Sequence, residues 1–362
     1  MKKLLAAGAA FCALVFAQGA FAANTATIAV SHSPMVLAGS SSTTIHVAIP
    51  QSTDPMAAIN IFVPSGYTMN TTQAAGTKIG AVDATAFSRD AGLTLPLSGD
   101  VTADNPANHT SDSTQCAGVA TSQAVWIMNL SVAGQTIALP LYVNPTVGAQ
   151  TALGKFRLSI CLPPPDVPVG TPGRSAQGAQ VLDARFTVNG IFTTPVAPGN
   201  QVWESLFTPY TPNTGKVNPA GTFEARAIVG LPSLVTIAKS YNTKSNTWKV
   251  SGRVREGNGV VGGATVHIVR GNSATRLTKS STATSSDVGT YVSSGKLVPR
   301  AATYFRASVT VTERANAAGC ASPLPATVAP AGCVSATMAG WSAQSAVVKL
   351  VPPKAKPKKK HK

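Results

Sequence analysis

Acidic residues are scarce in this chain: 13 Asp and Glu stand against 29 Lys and Arg, a formal charge of +16. Catalytic machinery that needs several converging carboxylates therefore has few candidates to draw on. Aromatic residues make up only 6% and charged residues only 12% of the chain. Stretches with helical periodicity are nearly absent, which argues against a bundle. No C-x-x-C, H-E-x-x-H or G-x-S-x-G occurs, so the local signatures of redox, zinc-protease and serine-hydrolase chemistry are missing. Histidines 32, 46, 109, 267 and 361 are scattered, and no metal spacing emerges from them. Nothing in the pattern calls for a metal or a cofactor. After the first 22 residues no apolar run is long enough to span a bilayer.

Those first 22 residues read as an export signal. Lys2 and Lys3 form the charged start, the apolar centre runs from Leu4 to Phe16, and Ala20-Phe21-Ala22 is an A-x-A cleavage site. Cys12 lies within the apolar centre. The exported product retains Cys116, Cys161, Cys320 and Cys333, an even number that implies disulfides in an oxidising compartment. Three pairings are open. Joining neighbours, Cys116 with Cys161 and Cys320 with Cys333, would contribute roughly 4 and roughly 3 kcal/mol by loop entropy.

Thr, Ser, Val, Ala, Gly and Pro dominate the composition, which favours sandwiches or barrels of short strands. About 340 mature residues suggest two domains. In TIHVAIP, Ile45, Val47 and Ile49 alternate with Thr44, His46 and Ala48, the period of a half-buried strand. INIFVPSGY, VWIMNLSV, IALPLYV, KFRLSICL, VLDARFTVNGIF and TFEARAIV read as further strands. Residues 83–91 read as one short helix. Residues 101–118 read as a polar surface loop ending at Cys116, and the proline-rich residues 162–173 as an ordered surface connection. Prolines 209, 212 and 219 are expected to break the stretch from Trp203 onward. His46 and His267 fall on solvent-side strand positions.

The most legible stretch runs from Trp248 to Val311. Trp248, Val250 and Val254 fall on one face, as do Phe305, Ala307, Val309 and Val311. Gly257-Asn258-Gly259 through Gly262 formally matches a dinucleotide-binding G-x-G-x-x-G, but a strand follows rather than a helix, so a hairpin is expected. Four motifs punctuate the stretch: Ser251-Gly252-Arg253-Val254, Gly263-Ala264-Thr265-Val266, Asp287-Val288-Gly289-Thr290-Tyr291, and Thr303-Tyr304-Phe305-Arg306-Ala307. This resembles bacterial immunoglobulin-like modules and the similar carboxypeptidase-regulatory, prealbumin-like modules over roughly residues 231–312. The resemblance implies a β-sandwich used as a spacer, stalk or adhesion unit. The cysteine-bearing insert, Cys320 to Cys333, departs from that pattern. The N-terminal part looks like exported bacterial proteins without assigned activity.

The expected architecture is all-β. A signal peptide (1–22) precedes a β-rich domain (23–230), an immunoglobulin-like sandwich (231–352) and a disordered lysine-rich tail (353–362). The expected role is non-enzymatic, structural or adhesive, in the cell envelope or extracellular space. Lysines 354, 356, 358, 359, 360 and 362 suit an anionic wall polymer or membrane surface. No aromatic interleaves them, which argues against specific nucleic-acid binding.

Two alternatives remain. Trp203, Phe207 and Tyr210 stand among prolines and could stack on a sugar or anchor a peptide. Packing over the sandwich end, or at the domain junction, is the competing use of the same rings. A hydrolase would draw on Glu204 and Glu224. The competing expectation there is a solvated loop position for Glu204, and for Glu224 a strand-face position paired with Arg226 or another base. Asp287 alone is too little for a calcium site.

Overall fold

The computed structural model describes residues 25–132, 135–296, 302–315 and 335–352. The export signal, the segment carrying Cys320 and Cys333, and the lysine tail lie outside the described residues. Strands dominate what is described, with one α-helix and four short 3-10 helices among the described residues.

The first part of the chain gives β1 (Thr27–Ser33), β2 (Ser40–Ala48), β3 (Met56–Val63), β4 (Thr68–Met69), β5 (Lys78–Ser88) and β6 (Leu93–Asp104). After helix α1 (Thr110–Ala117) come β7 (Ala124–Val132), β8 (Gln135–Pro145), β9 (Phe156–Cys161) and β10 (Ala179–Thr193). Then follow β11 (Gly199–Thr211), β12 (Lys216–Val217) and β13 (Phe223–Leu231).

These strands form one long sheet in the order β1-β2-β10-β5-β6-β7-β8-β9-β3-β11-β13. The sheet curls until β1 packs against β13, so its two halves face each other. Register follows the alternation. Ile45, Phe186 and Val82 line up across β2, β10 and β5. Trp126, Leu141, Ile160, Ile59 and Phe207 line up across β7, β8, β9, β3 and β11. All eight are buried. A one-residue slip would send each row to the opposite face. Burying a side chain of this size contributes roughly 1.5–3 kcal/mol, so the register is strongly fixed.

Three local expectations are corrected. Residues 83–88 belong to β5 rather than a helix. Val82, Ala84, Ala86 and Ser88 are buried in alternation, and pairing with both β6 and β10 overrides the alanines' helical preference. Residues 101–104 complete β6, and most of the remaining expected loop is helical, a 3-10 turn (Pro106–His109) running into α1. Asn105 accepts from the Ala107 amide at 3.0 Å to start a short 3-10 turn, and Gly118, at φ 69°, closes α1. Pro209 does not break its strand. It sits where the β11–β3 register shifts, a place where the missing N–H costs no ladder bond.

The chain then builds a sandwich from β14 (Ser233–Val235), β15 (Ala238–Asn242), β16 (Thr247–Glu256), β17 (Gly259–Val260), β18 (Thr265–Gly271), β19 (Leu277–Thr284), β20 (Thr290–Lys296) and β21 (Thr303–Val311). The remaining strands are β22 (Arg314–Ala315), β23 (Ser335–Met338), β24 (Trp341–Gln344) and β25 (Val348–Leu350). One layer has β16 paired with β14, β15, β17 and β20; the other runs β19-β18-β21-β24, with β25 also on β21. Trp248 and Phe305 meet between the layers with ring centroids 4.9 Å apart. Gly257-Asn258-Gly259 makes the β16–β17 hairpin, with Gly257 at φ 57°. Strands β22 and β23 leave this sandwich and join the first sheet, where β23 runs parallel to β13.

Candidate functional site

Strands β11 and β13 carry the side chains that the sequence marks for chemistry. Trp203, Phe207 and Tyr210 point to the interior, with exposures of 0%, 0% and 7%. Trp203 packs on Tyr67 and Phe192, at centroid distances of 5.2 and 5.4 Å, and Phe207 stacks on Phe223 at 5.3 Å. The Tyr210 hydroxyl donates to the Leu162 carbonyl at 2.6 Å. This corrects the binding-loop expectation. A ring without an open face cannot stack on a sugar; these rings fill the sandwich core, and Tyr210 ties down the proline-rich segment that follows β9.

The opposite face of the same two strands holds an ionic cluster. Glu204 and Arg226 are cross-strand partners, and Glu224 lies two residues before Arg226. Arg226 Nε donates to Glu204 Oε2 at 2.8 Å and to Glu224 Oε1 at 2.6 Å. All three residues are buried, so Glu204 is not the solvated residue expected. Burial first, and the hydrogen bond with Glu224 second, push the Glu204 carboxyl up to about 8. One proton and one guanidinium thus serve two carboxylates, an arrangement that leaves no unbalanced charge in the interior. A glycosidase needs its carboxylates on either side of a sugar; here a guanidinium fills the space between them.

A second polar cluster lies inside the sandwich. His32 Nε2 is 2.8 Å from the Tyr67 hydroxyl, and Nδ1 is 2.9 Å from Thr43 Oγ1 and 3.2 Å from Ser41 Oγ. Burial lowers the His32 pKa to about 4 and raises that of Tyr67, so at neutral pH the imidazole is uncharged. The cluster had one visible signal. Ser41 and Thr43 continue the inward register of Ile45 and Val47, which places hydroxyls where apolar groups are the rule. Sequence held no comparable signal for His32 or Tyr67.

His46 is also less exposed than its strand position implied. Its Nε2 lies 2.7 Å from Asp183 Oδ2, and its Nδ1 lies 3.8 Å from Glu313 Oε2. His267 is exposed on β18. Asp287 sits in the turn where the Gly289 amide reaches the Ser286 carbonyl at 2.7 Å. Among the described residues no three His, Cys, Asp or Glu side chains cluster as a metal centre would require. No described helix is long and apolar enough to cross a bilayer.

Cys116 and Cys161 form a disulfide with their Cα atoms 5.7 Å apart. It joins α1 to β9, rather than a loop to that strand. Beside it the Arg157 guanidinium donates to the Ala117 carbonyl at the end of α1, where the helix carbonyls lack internal partners.

No protein-family model matches the chain, and no curated protein sequence matches it. Solved structures align with it at low scores, three of them as follows. Domains D2 and D3 of the major pilin SpaD from Corynebacterium diphtheriae share 12% identity at a TM-score of 0.27, covering 78% of this chain and 81% of that one. The full-length SpaD pilin shares 12% identity at 0.26; the alignment covers 79% of this chain and spans 56% of the pilin's own length. A tetra-tandem repeat from the extending region of a large adhesion protein shares 11% identity at 0.25, over 91% of this chain and 100% of the repeat. Scores of this size define neither a common topology nor a common activity.

Proposed function

We propose that this chain is an exported, non-enzymatic structural or adhesion-type protein of the cell envelope or extracellular space. The observation that carries the reading is the Glu204–Arg226–Glu224 cluster. The residues best suited to acid–base chemistry neutralise one another inside the sheet, and the aromatic residues beside them form core. Export is supported by the Cys116–Cys161 bond, since such bonds persist in oxidising compartments, and by the leader-like first 22 residues. Structural continuity comes from β23, which belongs by sequence to the second sandwich yet pairs with β13 of the first sheet. The six lysines after residue 353 supply electrostatic retention on an anionic polymer or membrane surface.

Expression with the native leader, followed by fractionation and surface proteolysis, tests the reading. The expected product is oxidised, external, and released less readily at low salt than a chain lacking residues 353–362. A reduced protein retained in the cytosol would overturn export; equal release of the two chains would remove the tail's role.

A further inference from the structure

The second sandwich distributes its charge unevenly. The acidic side chains of residues 231–352 are Glu256, Asp287 and Glu313. Glu256 is buried and bonded to Arg314, Glu313 lies beside His46, and Asp287 sits in the β19–β20 turn. The outer face of the layer built on β16 is basic. Strand alternation sends Trp248, Val250 and Val254 inward and Lys249, Arg253 and Arg255 outward. Lys296 of β20 stands across from Thr247 on the same face, and Lys244 lies in the β15–β16 turn. All five cations are exposed, and none makes an ion pair among the described residues. From Lys249 to Arg255 the line of charge runs roughly 20 Å at the rise of an extended strand. That shape suits a linear polyanion better than a small anion.

Polar side chains stand in register with these charges. Ser240 of β15 and Ser294 of β20 flank Lys249 on either side, and Asn242, Thr247 and Lys296 form the next row. Ser240, Asn242, Thr247 and Ser294 line a shallow hollow together with Lys244 and Lys249. Both serines are exposed, and their hydroxyls have no partner among the described residues. Free hydroxyls can donate to or accept from sugar hydroxyls, while the ammonium groups between them hold a carboxylate. The outward positions of β15, β16 and β20 carry no aromatic residue, so bases would find no stacking platform. The exposed apolar side chains here are isolated valines, Val260 and Val292, which form no apolar face for entering a bilayer.

We propose that the outer face of β15, β16 and β20 binds a linear acidic polysaccharide, with Lys249, Arg253, Arg255 and Lys296 taking its carboxylates and Ser240 and Ser294 its hydroxyls. This site belongs to the folded sandwich and needs neither the lysine tail nor the export reading.

Polygalacturonate is the probe and neutral dextran the control, each immobilised and titrated with the full chain at low salt. The triple variant Lys249→Gln/Arg253→Gln/Lys296→Gln is compared with Lys216→Gln/Arg276→Gln/Lys279→Gln, which removes the same charge from exposed positions elsewhere. Should either fail to fold by Trp248 fluorescence, Lys249→Gln/Lys296→Gln is set against Lys216→Gln/Lys279→Gln. The face triple should weaken polygalacturonate binding roughly tenfold, as three exposed charge contacts of modest strength would; the control triple should change it less than twofold. Equal losses in the two triples would mean that net charge alone acts and would overturn the site, as would equal binding of dextran. The tenfold difference should persist in a chain lacking residues 353–362, and its disappearance there would overturn a site independent of the tail. Duplex DNA and phosphatidylglycerol vesicles are the competing polyanions. Tighter, face-dependent binding of either would overturn the assignment to a polysaccharide.

Discussion

Tyr291 lies directly across from Gly252 in the β16–β20 pairing and passes over it to donate its hydroxyl to the Thr236 carbonyl at 2.5 Å. A Cβ on Gly252 would stand 1.9 Å from that same carbonyl oxygen and 2.7 Å from the Tyr291 hydroxyl. The glycine is thus needed for close approach of backbone and ring. Gly252→Ala is expected to destabilise the second sandwich at or beyond the upper end of about 1–3 kcal/mol. Tyr291→Phe should cost about 1 kcal/mol, the net value of one hydrogen bond. Urea unfolding followed through Trp248 fluorescence measures both, and an alanine variant as stable as the parent would refute the close-approach argument.

That pair also shows why the second sandwich is so legible in sequence. Gly252 and Tyr291 belong to two motifs, and each motif is the local trace of one contact between strands. The alternation in Phe305, Ala307, Val309 and Val311 likewise matches a buried face. The first sheet is harder to read because its information is non-local. β5 carries alanines that suit a helix, and only pairing on both sides makes it a strand. Pro209 reads as a breaker until its register shift is known. Glu204 stands just ahead of prolines 209 and 212, so it reads as a solvated loop residue. Nothing nearby in sequence announces that its outward face is covered.

The disulfide closes a loop with a sequence separation of 45 residues. Chain entropy alone assigns such a crosslink roughly 4 kcal/mol. The double variant Cys116→Ser/Cys161→Ser is expected to lose about that much stability in urea unfolding. A loss below 1 kcal/mol would mean that α1 and β9 remain ordered together without the bond. In that case Arg157, which holds the end of α1, is the contact to remove next.

Glu204 makes stability depend on pH in a defined direction. Its pKa rises from 4.5 unfolded to about 8 folded, chiefly because burial penalises the carboxylate. Between those values the folded chain holds a proton that the unfolded chain has released. The contribution is complete below pH 4.5, declines as pH rises to about 8, and is level above. Glu204→Gln keeps the shape and cannot ionise. Its unfolding free energy should therefore fall less than the parent's between pH 6.5 and 8, leaving it the more stable of the two at pH 9. Parallel curves for the two proteins over that range would refute the shifted carboxyl.

His32 acts in the opposite sense over a lower window. Burial moves it from 6.5 down to about 4, so between those values the unfolded chain binds a proton that the folded chain does not. Its contribution is present above pH 6.5 and is lost as pH falls toward 4. Between pH 4.5 and 6.5 the two residues therefore oppose each other, and the parent's stability curve should be flatter there than either group alone would make it. His32→Gln retains a donor and an acceptor for Tyr67 and Thr43 without the titration. In that variant the Glu204 slope should emerge, with stability rising continuously as pH is lowered from 8 to 4.5. The double variant His32→Gln/Glu204→Gln should be nearly level across the whole range. Urea midpoints at half-unit pH intervals distinguish these curves, and a double variant that keeps the parent's profile would place the pH dependence in other residues.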